Sequence, residues 1–398
     1  MKMRLAVCLS MMLLCQLFFA KRCSAAGTQA SVTEVSTGVG ELLGRTTTLD
    51  PRVKMTEEEL ARYLRFRDGY FWVVQGMSLL TVVSNAFIIA VIPRYKSVGV
   101  PHVYMLAMAV CDLIIGLCSA WKKLSERLNH LTKTAHFISS YTYWAVIGLD
   151  STSSTSAALI LMFLSVDRCL ALKYPIKHKV LWSAEKAKIL SVTAGLLAFV
   201  VGLYYPLAHT VSKDFSTAIP GVVASYTTQL GENEVFNTVA RVLEFVLRFA
   251  IPLAVTVVSN TITLAEIRKS DSFRKNEIEG DQPVRNTKCL TLTIGVVILF
   301  FFTQVLWGGV LVDGMIFTHA HRGTFVMECV VTMADMFVKF NSLSNFFIYF
   351  GFSTEFRITF MTLFGCKKEA CKRDWESPVP ESGKSVSQET LNSSKNMV

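Results

Sequence analysis

Five charged side chains stand in stretches too apolar to accept them cheaply. Asp150 lies in "WAVIGLDSTSST", Glu244 and Arg248 in "RVLEFVLRFAIP", and Asp335 and Lys339 in "MADMFVKFNSLSNFFIYF". An isolated charge in a low-dielectric interior is costly, so each implies a partner or a ligand. Glu244 and Arg248 are four residues apart, as are Asp335 and Lys339, which puts each pair on one face of a helix. If a fold gathers them in one cleft, they could take an ammonium on Asp150, Asp335 or Glu244 and a carboxylate on Arg248 or Lys339. The chemistry implied is recognition of a zwitterion, meaning a short peptide or a small amino-acid-like molecule. The alternative is that each pair only satisfies itself along its own helix.

The elements that must position these residues are membrane spans. The chain has 398 residues, of which 52% are hydrophobic and 18% charged, and its mean hydropathy is +0.42. The apolar residues fall into blocks long enough to cross a bilayer as helices. Seven spans are expected near 70–93, 103–121, 138–168, 187–209, 238–268, 287–315 and 325–351. Ahead of them, "MKMRLAVCLSMMLLCQLFFAKRCSAAG" has the charged, apolar and small-residue regions of a signal peptide over 1–25. An uncleaved extra span is the alternative, given Lys21 and Arg22. Residues 26–69 are polar and are expected to form a disordered extracellular segment.

One alternating set of loops carries Arg94, Lys96, Arg168, Lys173, Lys177, Lys179, Lys186, Lys188, Arg268, Lys269, Arg274, Lys275, Arg285 and Lys288. The opposite set carries only Lys122, Lys123, Arg127, Lys133, Lys213 and Arg322. Basic residues collect on the cytoplasmic side, so the N-terminus is expected outside and the chain at the plasma membrane. The net charge of +10 follows from this bias and from anionic inner-leaflet lipid, and gives no reason to expect nucleic acid. The cysteines form no disulfide framework; Cys366 and Cys371 in "GCKKEACKR" suit S-acylation. No cofactor or metal is expected: no His/Glu/Asp cluster has ligand spacing, and His319 and His321 are read as facing water. No phosphate-binding loop is visible, so an enzyme is not expected.

Polar residues recur at set depths: Asn85 in "VVSNAFIIAV", Asp112 in "MAVCD", Asp167 and Arg168 in "LSVDRCLALKYPIK", and Asn341, Ser342, Asn345 and Tyr349 in the last span, followed by "STEFRITFMTLFGC". In this order they resemble the rhodopsin-like (class A) G protein-coupled receptors, from about residue 70 to 366. The resemblance implies an all-α membrane protein, a seven-transmembrane helix bundle with a short amphipathic eighth helix at 352–366 and a disordered tail over 367–398. It further implies a heterotrimeric G protein docking at Arg168, with Asp167 as its resting partner, and arrestin as a partner of the serine-rich tail. Asp112 with Asn341, Ser342 and Asn345 resembles the inner polar network of that family, with Ala157 where a serine is usual. Asp150 precedes Arg168 by eighteen residues, about five turns, so both share one face. The family fold would bring Lys339 opposite Asp150, with Gln304 and Trp307 looking in from the sixth span.

There are departures. Tyr143 stands where a cysteine usually ties the third span to the second outer loop, so that loop is expected to be looser. The sixth span has no proline, leaving Gly308–Gly309 as its bend. Phe346 replaces the proline of the last-span motif, Asn260 a tyrosine of span five, and Asn286 the acidic partner of Arg168 on span six. An opsin using Lys339 and a transporter or channel are the rival readings.

Overall fold

The computed structural model describes residues 56–95, 98–128, 133–211, 225–277, 301, 303–313 and 324–365. The first helix, α1 (Glu57–Val91), opens on a capping box. Thr56 Oγ1 accepts from the Glu59 N–H, and Glu59 Oε2 accepts from the Thr56 N–H at 2.9 Å. That backbone bond holds the Glu59 carboxyl below its ordinary value. The helix thus begins thirteen residues ahead of the expected span, and 57–69 is helical rather than disordered. Next come a 3-10 turn (Ile92–Arg94), α2 (Val100–Leu128) and α3 (Lys133–Lys173). After Tyr174 the chain turns at Pro175 into α4 (Pro175–Leu181), then α5 (Ala184–Gly202), capped by Ser183, and α6 (Tyr204–Ala208).

Two short strands, β1 (His209–Val211) and β2 (Ser225–Thr227), pair antiparallel with His209 opposite Thr227. α7 (Gln229–Glu232) leads into α8 (Glu234–Phe245), which passes through a π-helical turn (Val246–Ala250) into α9 (Ile251–Glu277). Residues 303–313 are helical without interruption through Gly308 and Gly309. α10 (Phe325–Phe352) runs unbroken past Phe346 to Ser353, which caps α11 (Thr354–Leu363), the expected amphipathic helix. Six of the seven expected spans coincide with these helices. Of the sixth, 287–300, 302 and 314–315 lie outside the described residues, as do the signal segment, Asn286, His319, His321, Cys366 and Cys371.

Five of the helices are long and apolar enough to cross a membrane. α10 is long enough but carries Asp335, Lys339, Asn341 and Asn345 on its packed side. Along α1 and α5, Leu79, Leu80, Val83, Ile189, Leu196 and Val200 are all more than half or about half exposed and form the apolar belt a lipid-facing helix requires. α3 is the central helix and packs against α2, α5 and α9. Its contact with α5 is close because Gly148 and Gly202 face each other; a Cβ on Gly202 would lie 1.9 Å from Thr152 Oγ1 and 2.4 Å from the Gly148 carbonyl oxygen. A second core joins α1, α2, α10 and α11 around Ile88, Ile92, Tyr349 and Phe356. Phe346 packs there against Phe356 and Phe360, so the residue in the proline's place pins α11 to α10.

Candidate functional site

The outer half of the bundle holds two groups of ions. In the first, Lys122 on α2 donates to Asp150 Oδ2 on α3 at 2.7 Å, and Lys339 Nζ lies 3.9 Å from the same oxygen. Lys339 donates to Asp335 one turn earlier on α10, and the Tyr70 hydroxyl donates to the other Asp335 oxygen at 3.0 Å. Lys339 is 1% exposed, whereas the Asp335 and Lys122 side chains are 24% and 18% exposed, so the group is sealed below and opens outward. The expected pairing of Lys339 with Asp150 is therefore present at the edge of ion-pair distance, but the primary partner of Asp150 is Lys122. Sequence reasoning placed Lys122 in an outer loop because the apolar run ends at Trp121; the helix continues to Leu128, and the lysine stem lies inside it.

The second group centres on Glu244. Its Oε1 accepts from Arg248 Nη1 at 3.0 Å and from the Ser151 hydroxyl at 2.9 Å, and its Oε2 accepts from the Tyr205 hydroxyl at 3.0 Å. The Arg248 guanidinium sits 4.8 Å from the centre of the Trp307 ring. The pair that periodicity pointed to is thus real and buried, and it is tied to α3 and α6 as well. Ser151, Tyr205 and Tyr70 escaped sequence reasoning because hydroxyls carry no signal in an apolar span.

Beneath these groups lies a cavity of about 20 Å³, room for one water. Asp112, Asn341, Ser342, Asn345 and Gln304 line it, with Ala157 on its wall. Asn345 donates to Asp112 Oδ2 at 2.7 Å, and Asn85 donates to the Ser342 carbonyl at 3.2 Å. Gln304 therefore joins the inner network rather than the outer ions, where its neighbour Trp307 stands.

At the inner end, Asp167 does not hold Arg168. Asp167 is 1% exposed, and its Oδ1 meets His178 Nε2 of α4 at 2.8 Å. Consecutive helical residues diverge by about 100°, so adjacency favours no pair; the turn at Pro175 brings His178 back instead. Among the described residues no carboxylate pairs with Arg168.

Above α3 the outer loop is also tied. His209 stacks on Trp144 at 3.6 Å between ring centres and bonds to the Tyr205 carbonyl at 3.2 Å. Burial lowers the pKa of His209 from its usual range, partly offset by that carbonyl. The strands and this stack stand where a disulfide was missing, so the described ends of the loop are not loose. Cys111, Cys118, Cys169 and Cys329 are free thiols.

The family profile described as 7 transmembrane receptor (rhodopsin family) matches residues 84–349, two-thirds of the chain. This chain belongs to the rhodopsin family of seven-transmembrane receptors. It is 21% identical to the sex peptide receptor of Drosophila melanogaster, over 74% of this chain and 72% of that one. It is 25% identical to the D(1A) dopamine receptor of Xenopus laevis, over 80% and 76%, and 22% identical to the type-1 angiotensin II receptor of Meleagris gallopavo, over 72% and 77%. The receptor is a multi-pass, cell-surface G protein-coupled receptor; neither an opsin nor a transporter or channel is favoured. In the receptor Asn85 bonds to α10 at Ser342, Asn345 of α10 bonds to Asp112 of α2, and Tyr349 packs in the core beside Ile88 of α1.

Proposed function

We propose that this receptor recognises a short extracellular peptide or a zwitterionic small molecule through its outer ions. The signal then passes to a heterotrimeric G protein at the inner end of α3. The observation that carries the reading is the balance of charge: Lys122, Lys339 and Arg248 against Asp150, Asp335 and Glu244, all paired with one another. A ligand bearing one charge would strand a buried counter-ion, whereas a ligand bearing both can exchange with an internal pair at little cost. Names among the relatives support it, since they include receptors for a peptide and an amine. The basic inner loops support an extracellular N-terminus at the plasma membrane, with 1–25 as signal, 70–351 as the bundle and 367–398 as a tail for arrestin. Asp150, Glu244, Arg248, Trp307, Asp335 and Lys339 form the ligand site; Arg168, with Asn345 and Tyr349, carries coupling.

The test is G protein dissociation in cells exposed to pooled peptides, amines and amino acids, for the wild type beside Arg168→Ala. The expected result is a response absent in Arg168→Ala and reduced in both Asp150→Asn and Arg248→Gln. A response to simple monoamines that survives Arg248→Gln would remove the zwitterion reading and leave the receptor intact.

A further inference from the structure

The two most exposed large apolar side chains among the described residues are Ile176, at 81%, and Val180, at 79%, both on α4. They stand one turn apart and share a face. His178 is two residues, about 200°, from each of them, so it lies on the opposite face. That opposite face is occupied: His178 Nε2 meets Asp167 Oδ1 of α3 at 2.8 Å, and the imidazole stacks on Trp182. The Ile176–Val180 face is the one turned away from the bundle.

The bond to Asp167 also sets the level of α4. Asp167 lies six residues before the end of α3 at Lys173, about 9 Å along the axis. α4 therefore runs back beside the span that α3 makes rather than hanging below it. At that level the neighbour of an outward face is the boundary between headgroups and acyl chains.

Charge selects the lipid. Between Asp167 and Glu185 the chain carries Arg168, Lys173, Lys177 and Lys179 and no carboxylate. The three lysines are exposed, and the ammonium groups of Lys173 and Lys177 lie 5.5 and 5.8 Å from the centre of the half-exposed Tyr174 ring. Lysine stems and a tyrosine ring around an apolar face suit a membrane interface, where each has an apolar body and a polar tip to place.

Resting on the inner placement of this loop, we infer that α4 is an interfacial helix that binds anionic phospholipid of the inner leaflet. Ile176 and Val180 enter the acyl boundary, and Lys173, Lys177 and Lys179 take the charged headgroups. A leaflet that holds α4 in this way also holds His178 on Asp167.

The test is hydrogen exchange of the α4 amides in the full-length receptor, in nanodiscs of phosphatidylcholine alone and of equal parts phosphatidylcholine and phosphatidylserine. Both faces of a nanodisc carry the same lipid, so the result does not depend on which end of the receptor is inside. Accessibility of an epitope placed ahead of α1, on intact cells, tests that placement separately. Exchange over 178–182 should slow by about tenfold in the anionic discs, the scale of one or two lysines at a charged surface. Lys177→Gln with Lys179→Gln should abolish the difference. Ile176→Ser with Val180→Ser should speed exchange in both discs while exchange in α5 stays unchanged. Equal exchange of the wild type in the two discs overturns the inference. Equal slowing by soluble glycerophosphoserine in neutral discs also overturns it, since the site would then take a free phosphate. Slowing that needs added heterotrimeric G protein and ignores the lipid overturns it too, and assigns the face to that protein.

Discussion

Lys339 shows what a buried ammonium costs and what offsets it. At 1% exposure it is surrounded by Asp335 and Asp150, and Lys122 shares the second carboxylate. Removing one member strands the others away from water, which typically costs about 3–5 kcal/mol, while removing a matched pair costs far less. Lys339→Met should therefore lower the unfolding midpoint of the purified receptor strongly, and Lys339→Met with Asp335→Leu should recover much of the loss. Strictly additive single effects in that cycle would show that the pair is not coupled. Part of this group was visible beforehand, because a four-residue spacing within an apolar run specifies a helical pair. Lys122 was not, since hydropathy ends a span where charges begin, while a helix ends where its hydrogen bonds and caps end.

The elements that carry the site are held by close contacts that replace missing devices. Without the usual disulfide, β1, β2 and the Trp144–His209 stack tie the outer loop to α3. Burial depresses the His209 pKa, so the docked ring resists protonation. A base with a lowered folded value binds fewer protons than when undocked, so docking weakens as pH falls below the free value of about 6.5 and is fully present above it. Protection factors for amide exchange in 209–211 and 225–227 should drop between pH 7.4 and pH 5.5. Trp144→Leu should lower them at both values and shrink the difference; an unchanged difference would place the pH sensitivity elsewhere. The absence of a cysteine at Tyr143 could be read from sequence, but the stacking that takes over could not, because Trp144 and His209 meet only after α5 and α6 have folded back. Phe346 is the same case: a lost proline reads as a lost kink, and its packing on Phe356 and Phe360 needs α11 in place.

At the scale of the whole receptor, if ligand exchanges among the outer ions as proposed, it must bias the inner ends of the same helices, and the resting balance there decides how much bias is needed. The order of polar residues along the chain made this architecture legible, since Asn85, Asp112, Asn345 and Tyr349 fall at the depths where α1, α2 and α10 meet. The restraint on Arg168 was read wrongly, because the neighbour in sequence is not the neighbour in space. Asp167 is held by His178 from α4, and Arg168 is left without a carboxylate among the described residues. If Arg168 carries coupling as proposed, a receptor in which it lacks that restraint should populate its G protein-competent arrangement before ligand arrives. Basal G protein dissociation should then scale with surface expression and vanish in Arg168→Ala. Asp167→Asn should leave it near the wild-type level, since no Asp167–Arg168 pair exists to be broken. A silent wild type that Asp167→Asn switches on would instead mean that Asp167 restrains Arg168 at rest, contrary to the His178 pairing.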